Sequence, residues 1–237
     1  STFSAAISNN VKKIIYCSSM ARYGSQNYPF TEDMKTKPQD PYGIAKVATE
    51  EVLRNLSDIH DFDWTILVPH NIVGPRQKYD DPYRNVMSIF LNRMLLNKPA
   101  IIYGDGSQKR CFSYVDDCIY CIEEAIHNIE SSKEIINIGP DEEFISINEL
   151  ADKCSNITNF NGQHIYYEDR PQEVKFATCS SNKARKILNY KTRFSLDESI
   201  SLTYDYIKKR GAREFDYNIN LEIKNKKTPQ TWKKKII

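Results

Sequence analysis

The sequence predicts an α/β protein: part of a parallel-sheet domain followed by a smaller mixed α/β domain. An apolar, β-branched run over residues 11–17 leads to a long helical pattern over 42–56 and a second strand-like run over 64–68. Strand, long helix and strand in that order build βαβ units and a parallel sheet. The second half mixes short strands with short helices instead, which suits a smaller, cap-like domain.

In order along the chain, Ala5-Ala6-Ile7 before Asn9-Asn10 reads as the end of a helix entering the strand at 11–17. Further strands are expected at 64–68, 100–103, 135–138 and 164–166. Helices are expected at 42–56, 85–97, 116–128, 147–155, 181–188 and 196–209, from apolar residues recurring with helical period. Asp105-Gly106 is a turn signal. There is no internal repeat or low-complexity segment.

With 237 residues, 40% of them hydrophobic and 27% charged, the chain can bury the core of one domain or one and a half. A net charge of +2 makes no electrostatic case for nucleic acid. The basic run over 224–235 reads as a solvated tail. No apolar run approaches the ~20 residues that span a bilayer, and no signal peptide is visible, so no membrane partner is expected. Of six cysteines only Cys118-x-x-Cys121 has metal-like spacing, with no second pair or histidine cluster beside it, so no metal is expected. The pair lies in an apolar helical stretch where buried thiols are ordinary. A reduced, cytoplasmic protein follows.

The chemistry centres on Tyr42-Gly-Ile-Ala-Lys46, with Ser18-Ser19-Met20 upstream. Residues four apart share a helix face, so the ammonium stands where it can stabilise a phenolate. Without such a cation a phenol is a poor base at neutral pH. Ser19 ends a strand before a turn, and strand carboxyl ends line the ligand crevice of open α/β sheets. Tyrosine, lysine and serine so placed can move a proton off a carbinol while hydride leaves its carbon.

Many further motifs occur in one order: Ile14-Ile15-Tyr16-Cys17-Ser18-Ser19 with Tyr23-Gly24, Pro41-Tyr42-Gly43-Ile44-Ala45-Lys46, and Pro69-His70-Asn71-Ile72-Val73-Gly74-Pro75-Arg76. Then come Ile102-Tyr103-Gly104-Asp105-Gly106, Arg110 to Asp117, Asn137-Ile138-Gly139 and Arg170-Pro171-Gln172-Glu173. Together they resemble the extended short-chain dehydrogenase/reductase family, within it the NAD-dependent nucleoside-diphosphate-sugar epimerases of the UDP-glucose/UDP-galactose 4-epimerase kind. The resemblance runs from residue 1 to about residue 210 and implies a Rossmann-type sheet domain.

It also implies roles. Tyr42 would be the general acid/base and Lys46 would bind the nicotinamide ribose, with Ser19 the catalytic hydroxyl and Ser18 beside it at the cofactor. His70 would line the nicotinamide pocket and Asn71 would bond a substrate phosphate. Asn85 and Val86 would border the substrate, and Ile102 and Tyr103 the nucleotide base. Arg110 and Arg170 would clamp the diphosphate, since a guanidinium offers parallel donors to phosphate oxygens. Glu173 would hold the ribose hydroxyls. The implied reaction is epimerisation of a UDP-hexose at C4 through a transient 4-keto sugar, with NAD as a bound cofactor. The family's 4,6-dehydratases carry an Asp-Glu pair where this chain has Met20 and Ala21, which argues against dehydration. Another sugar-nucleotide decarboxylation or epimerisation is the second reading. A homodimer through the helix bearing Tyr42 is expected.

The family's opening Gly-rich turn for the dinucleotide pyrophosphate has no counterpart among these residues. We therefore expect a fragment, with 1–78 mainly the remainder of the NAD-binding domain, 79–210 mainly the substrate domain interleaved with it, and 211–237 a basic tail. Alone it is expected to bind NAD weakly, lack epimerase activity and aggregate. A non-catalytic sugar-nucleotide-binding protein is the reading if the chain is complete.

Overall fold

A computed structural model describes every residue except 84, 171–172, 218–220, 222–224 and 227. Pro171 and Gln172 of the motif above, and Lys224 and Lys227 of the basic run, thus lie outside the described residues. In chain order the elements are α1 (Thr2–Ser8), β1 (Lys13–Cys17), α2 (Pro41–His60), β2 (Asp63–Pro69), β3 (Ile72–Val73), α3 (Val86–Leu95), β4 (Ile101–Tyr103), β5 (Lys109–Arg110) and β6 (Ser113–Tyr114). Then follow α4 (Val115–His127), β7 (Glu134–Ile138), β8 (Ile145–Ser146), α5 (Ile147–Thr158), β9 (Ile165–Tyr167), β10 (Phe176–Ala177), α6 (Asn182–Leu188), α7 (Leu196–Arg210) and α8 (Gln230–Lys234).

The chain folds into two compact units, each built from three segments. The first comprises Ser1–His70, Cys111–Glu143 and Ala177–Arg193; the second comprises Asn71–Arg110, Phe144–Phe176 and Phe194–Ile237.

The first unit holds a parallel three-stranded sheet in the order β1-β2-β7. Tyr16 pairs with Ile66, and Leu67 with Ile136. The middle strand is buried on both faces, Thr65 to Val68 having no exposure, hence its nearly unbroken apolar run. Helices α2 and α4 pack on the sheet, and α6 on β7. All three strands point the same way, so Cys17, Pro69 and Ile138 end at one edge.

Helix α2 is longer than its periodicity suggests, because its boundaries are set by caps. The Asp40 carboxylate accepts from Gly43 N at 2.7 Å, with Pro41 at the first helical position. The helix runs on to Asp61, whose left-handed φ of 51° closes it. Its last turn is polar, and Ser57 is buried there by donating to the Phe62 carbonyl at 2.5 Å.

In the second unit α3, α5 and α7 pack on one another, burying Phe90, Leu91, Leu150 and Ile200. Both α5 and α7 open with capping boxes, Ser146 with Glu149 and Ser195 with Glu198. Strand β4 pairs with β9 in parallel and β5 with β8 antiparallel.

The C-terminal segment departs from the solvated tail expected of it. Thr231 is wholly buried, the Trp232 ring meets Tyr83 edge-on at 5.2 Å, and Arg93 donates to the Ile236 carbonyl at 3.3 Å. Counting lysines hid one threonine and one tryptophan whose burial outweighs the solvation of their neighbours. Among the described residues, no helix is long and apolar enough to cross a membrane.

Ile66 on the central strand has no exposed surface. Ile66→Ala should therefore lower unfolding free energy by about 2–5 kcal/mol, read from urea denaturation of the first unit's near-UV signal.

Candidate functional site

In the first unit the expected catalytic residues gather at the carboxyl edge of the sheet. Ser19 follows β1 in extended conformation, and its hydroxyl accepts from Ala21 N at 3.2 Å, capping the short turn Met20–Arg22. The hydroxyl thus holds its own loop and keeps its proton to donate.

The first turn of α2 lies directly on that loop. A Cβ added to Gly43 would meet the Ala21 carbonyl oxygen at 2.9 Å and Pro38 Cβ at 3.1 Å. Glycine is what lets the helix approach closely enough to set Tyr42 beside the Ser19 turn. Lys46, one helical turn on, donates to the Cys17 carbonyl at 2.9 Å and lies 5.6 Å from the Tyr42 ring centroid. An ammonium has three donors, and Cys17 takes one. Tyr42 is 57% exposed, so its phenol is open to a substrate.

His70 follows β2 directly and is buried. Burial pushes its pKa below the ordinary histidine value, so the ring is neutral at pH 7. Its Nε2 contacts the Pro140 carbonyl at 2.8 Å, which makes that nitrogen the donor, and Nδ1 has no hydrogen-bond partner among the described residues. Ser113 donates to the His70 carbonyl at 2.6 Å. Gly139, with φ of 134°, closes this corner, where a Cβ would strike Ser113 Oγ at 2.3 Å and the His70 ring at 2.6 Å. Ser18 differs from its neighbour. It is buried, and its hydroxyl is donated to Glu50 rather than turned to the crevice.

In the second unit a further group forms around Tyr103. The Arg170 guanidinium lies 4.7 Å over the Tyr103 ring and forks onto Glu173, Nε at 2.9 Å and Nη2 at 3.0 Å. Arg110 stands 3.7 Å from the same carboxylate. Its Nη1 donates to the Lys109 and Lys175 carbonyls at 2.7 and 3.0 Å and its Nη2 to the Val174 carbonyl. Arg110 is thereby engaged in holding backbone, whereas Arg170 keeps three of its five donors beyond the fork.

Tyr103 also opens on a cavity of about 320 Å³ shared with Tyr166, Tyr167 and the C-terminal residues Thr228 and Gln230. Ile102 is a core residue of β4. Asn85 caps α3, accepting from Met87 N at 3.1 Å and donating to the Ile72 carbonyl at 3.3 Å; Val86 begins that helix. Asn71 adopts a left-handed φ of 43°.

Sequence reading missed Glu50, Arg22 and the C-terminal wall of the Tyr103 cavity. Glu50 carried a signal: it stands four residues beyond Lys46, on the inward side of α2. The cavity wall carried none, because it is built across a long sequence separation.

Cys118 and Cys121 are buried and unpaired, the Cys121 thiol pushed up to about 12 chiefly by burial. Neither is poised as a nucleophile.

A parallel α/β sheet with tyrosine, lysine and serine at its carboxyl edge defines a protein of the short-chain dehydrogenase/reductase kind. Residues 2–139 match the NAD dependent epimerase/dehydratase family, and the chain belongs to that family. It is 30% identical over 205 residues to the UDP-glucuronate 4-epimerase of Thermodesulfobacterium geofontis, covering 84% of this chain and 60% of the relative. The structure is similar to that of UDP-glucose 4-epimerase of Thermotoga maritima with UDP-glucose, at a TM-score of 0.81 and 31% identity, covering 87% of this chain and 67% of that one. It is also similar to UDP-glucuronic acid 4-epimerase of Bacillus cereus in complex with UDP-glucuronic acid and NAD, at a TM-score of 0.81 and 29% identity, covering 88% of this chain and 65% of that one. The chain spans between 60% and 64% of the length of the first curated relatives it matches.

Replacing glycine by alanine inside a helix ordinarily stabilises by about 0.8–1 kcal/mol. Gly43→Ala should instead destabilise the first unit by about 1–3 kcal/mol, because the methyl presses on backbone. Thermal or urea unfolding of the variant checks the sign.

Proposed function

We propose that the protein catalyses NAD-dependent epimerisation of a nucleotide sugar, acting at C4 of a UDP-hexose such as UDP-glucose/UDP-galactose or its N-acetyl form. The observation that carries this reading is Tyr42 and Lys46 on one face of α2, docked on the Ser19 turn at the carboxyl edge of a parallel sheet. Similarity to epimerases of UDP-glucose and UDP-glucuronate supports the substrate class.

Ser19, Tyr42, Lys46 and His70 suit the nicotinamide end of NAD: an ammonium with donors to spare, an exposed phenol and a neutral imidazole at the strand ends. The cofactor supplies the acceptor and donor of hydride. Lys46 would bind its ribose, and His70 would wall the ring. Tyr42 takes the proton from the sugar C4 hydroxyl and gives it back, and Ser19 donates to that sugar oxygen and holds it in line.

Arg170 would bind the diphosphate, with Arg110 framing the loop that carries Glu173 and available to the phosphate by exchange of a carbonyl partner. Glu173 has lone pairs left after its fork with Arg170 and would accept from the ribose hydroxyls. Tyr103 and Ile102 would border the base, and Asn71, Asn85 and Val86 the phosphate and sugar. Decarboxylation or another epimerisation is the second reading, since the Ser-Tyr-Lys set serves those reactions as well.

A homodimer is proposed through α2. Ile44 at 54% exposure, Val52 at 50% and Ile59 at 65% line one face with Ala48, at spacings of four, four and seven that suit a helix–helix seam. Buried thiols at Cys118, Cys121 and Cys154 support a reducing, cytoplasmic setting.

Tyr42→Phe in the full-length protein should lower turnover of a UDP-hexose by about 10²–10⁴ with UDP-sugar affinity kept. Near-normal turnover would remove Tyr42 from the chemistry, and no turnover by the parent protein on a panel of UDP-sugars would remove the epimerase reading. For assembly, Val52→Asp should shift the sedimenting species from dimer to monomer; an unchanged mass would place the interface elsewhere.

A further inference from the structure

Behind the proton-transfer residues lies a cluster of buried polar groups that none of these roles uses. Glu50, at 0% exposure, stands on α2 one turn beyond Lys46. One of its oxygens accepts from the Ser18 hydroxyl at the end of β1, and the other from Arg22 Nη2 at 3.0 Å. Arg22, at 3% exposure, belongs to the turn that Ser19 caps. Its Nη1 donates to the Tyr23 hydroxyl at 3.2 Å, and that hydroxyl donates to Asn137 Oδ1 on β7 at 2.7 Å. The cluster thus ties the helix bearing Tyr42 and Lys46, the turn bearing Ser19 and the sheet beneath them into one piece.

We propose that Glu50, with Arg22, is a positioning residue: its carboxylate holds Ser18 and the Ser19 turn at a set distance from the Tyr42 helix. Glu50 is sealed from solvent and so acts on substrate only through the groups it holds. Two of the three reacting groups sit on α2 and the third on the turn, and only a link between those two elements keeps the three in register. A hydroxyl misplaced by about 1 Å costs roughly a hundredfold in rate. This inference rests on the epimerase reading for its kinetic consequence, but not for its structural one.

The test uses the full-length protein with NAD. Glu50→Gln alone strands the Arg22 charge in the interior and should lower the melting temperature. The double variant R22L/E50L removes both charges, and such apolar replacements commonly fold well. In R22L/E50L, amide exchange over residues 18–23 should quicken by about tenfold or more while the melting temperature stays close to that of the parent. Its kcat should fall by about tenfold to a hundredfold with KM within about threefold, the mark of a lost transition-state alignment rather than lost binding. R22L/E50Q restores an acceptor for Ser18 without a stranded charge and should recover parent-like exchange at residues 18–19 and part of the lost kcat, while residues 20–23 stay quickened by loss of the Arg22 link.

Parent-like exchange and kcat in R22L/E50L overturn the proposal. If the parent turns over no nucleotide sugar, the epimerase reading fails on its own, and exchange over 18–23 still decides whether the clamp exists. Should R22L/E50L not fold, R22L/E50Q and Ser18→Ala are read in its place: the first should keep parent-like exchange at residues 18–19 and the second should quicken it, and the reverse pattern overturns the clamp.

Discussion

The backbone of Gly43 lies against the carbonyl of Ala21 with no room for a side chain between them, and the arrangement of the first unit follows from that contact. It brings the N-terminal turn of α2 down onto the loop after β1. From there Lys46 reaches the Cys17 carbonyl, Tyr42 stands beside the Ser19 turn, and Glu50 meets Ser18. Each of these hydrogen bonds adds only about 1 kcal/mol net, and each is available only at this distance. One missing Cβ therefore governs a set of polar contacts worth several times more than the helix propensity it sacrifices.

The Arg22–Glu50 pair sharpens the point. Both groups are out of water, and desolvating two charges largely cancels their attraction. Arg22 Nε has no hydrogen-bond partner among the described residues, which is a poor arrangement for stability. Losing one partner would cost about 3–5 kcal/mol, yet replacing both by apolar groups is often neutral or better. What the pair supplies that leucines would not is direction, since a carboxylate accepts from two different elements at fixed angles. The neighbouring stack of Tyr23 on Phe30, with centroids 5.1 Å apart, backs it with rigid packing.

The second unit handles charge differently. Arg170 and Glu173 meet with side chains 40% and 15% exposed, so their ion pair keeps partial access to water that the Arg22–Glu50 pair lacks. Tyr103 beneath them is fixed by its ring and by its hydroxyl on Thr231. Buried, directional polarity in one unit suits alignment of reacting groups. Partly exposed polarity in the other leaves Arg170 with donors beyond its fork on Glu173.

Much of this was legible along the chain. Period and composition marked β1, α2, β2 and the main helices, because buried faces impose their spacing on neighbouring residues. The placement of Tyr42 and Lys46 on one helix face, and of Ser19 at the end of a strand, was legible because local spacing sets it. Helix ends were less so: α2 and α5 outrun their apolar patterns until Asp61 and Asn159 adopt left-handed backbone. The charge count of the C-terminal run concealed the burial of Thr231 and the seat of Trp232. That Ser18 turns inward while Ser19 caps the turn, that Arg110 is taken up by carbonyls of residues 174 and 175, and that Glu50 meets Arg22 were decided only by tertiary structure. Sequence determines which groups a segment can offer, whereas the partner that takes up a buried polar group comes from a distant segment and is known only once packing has removed water from both.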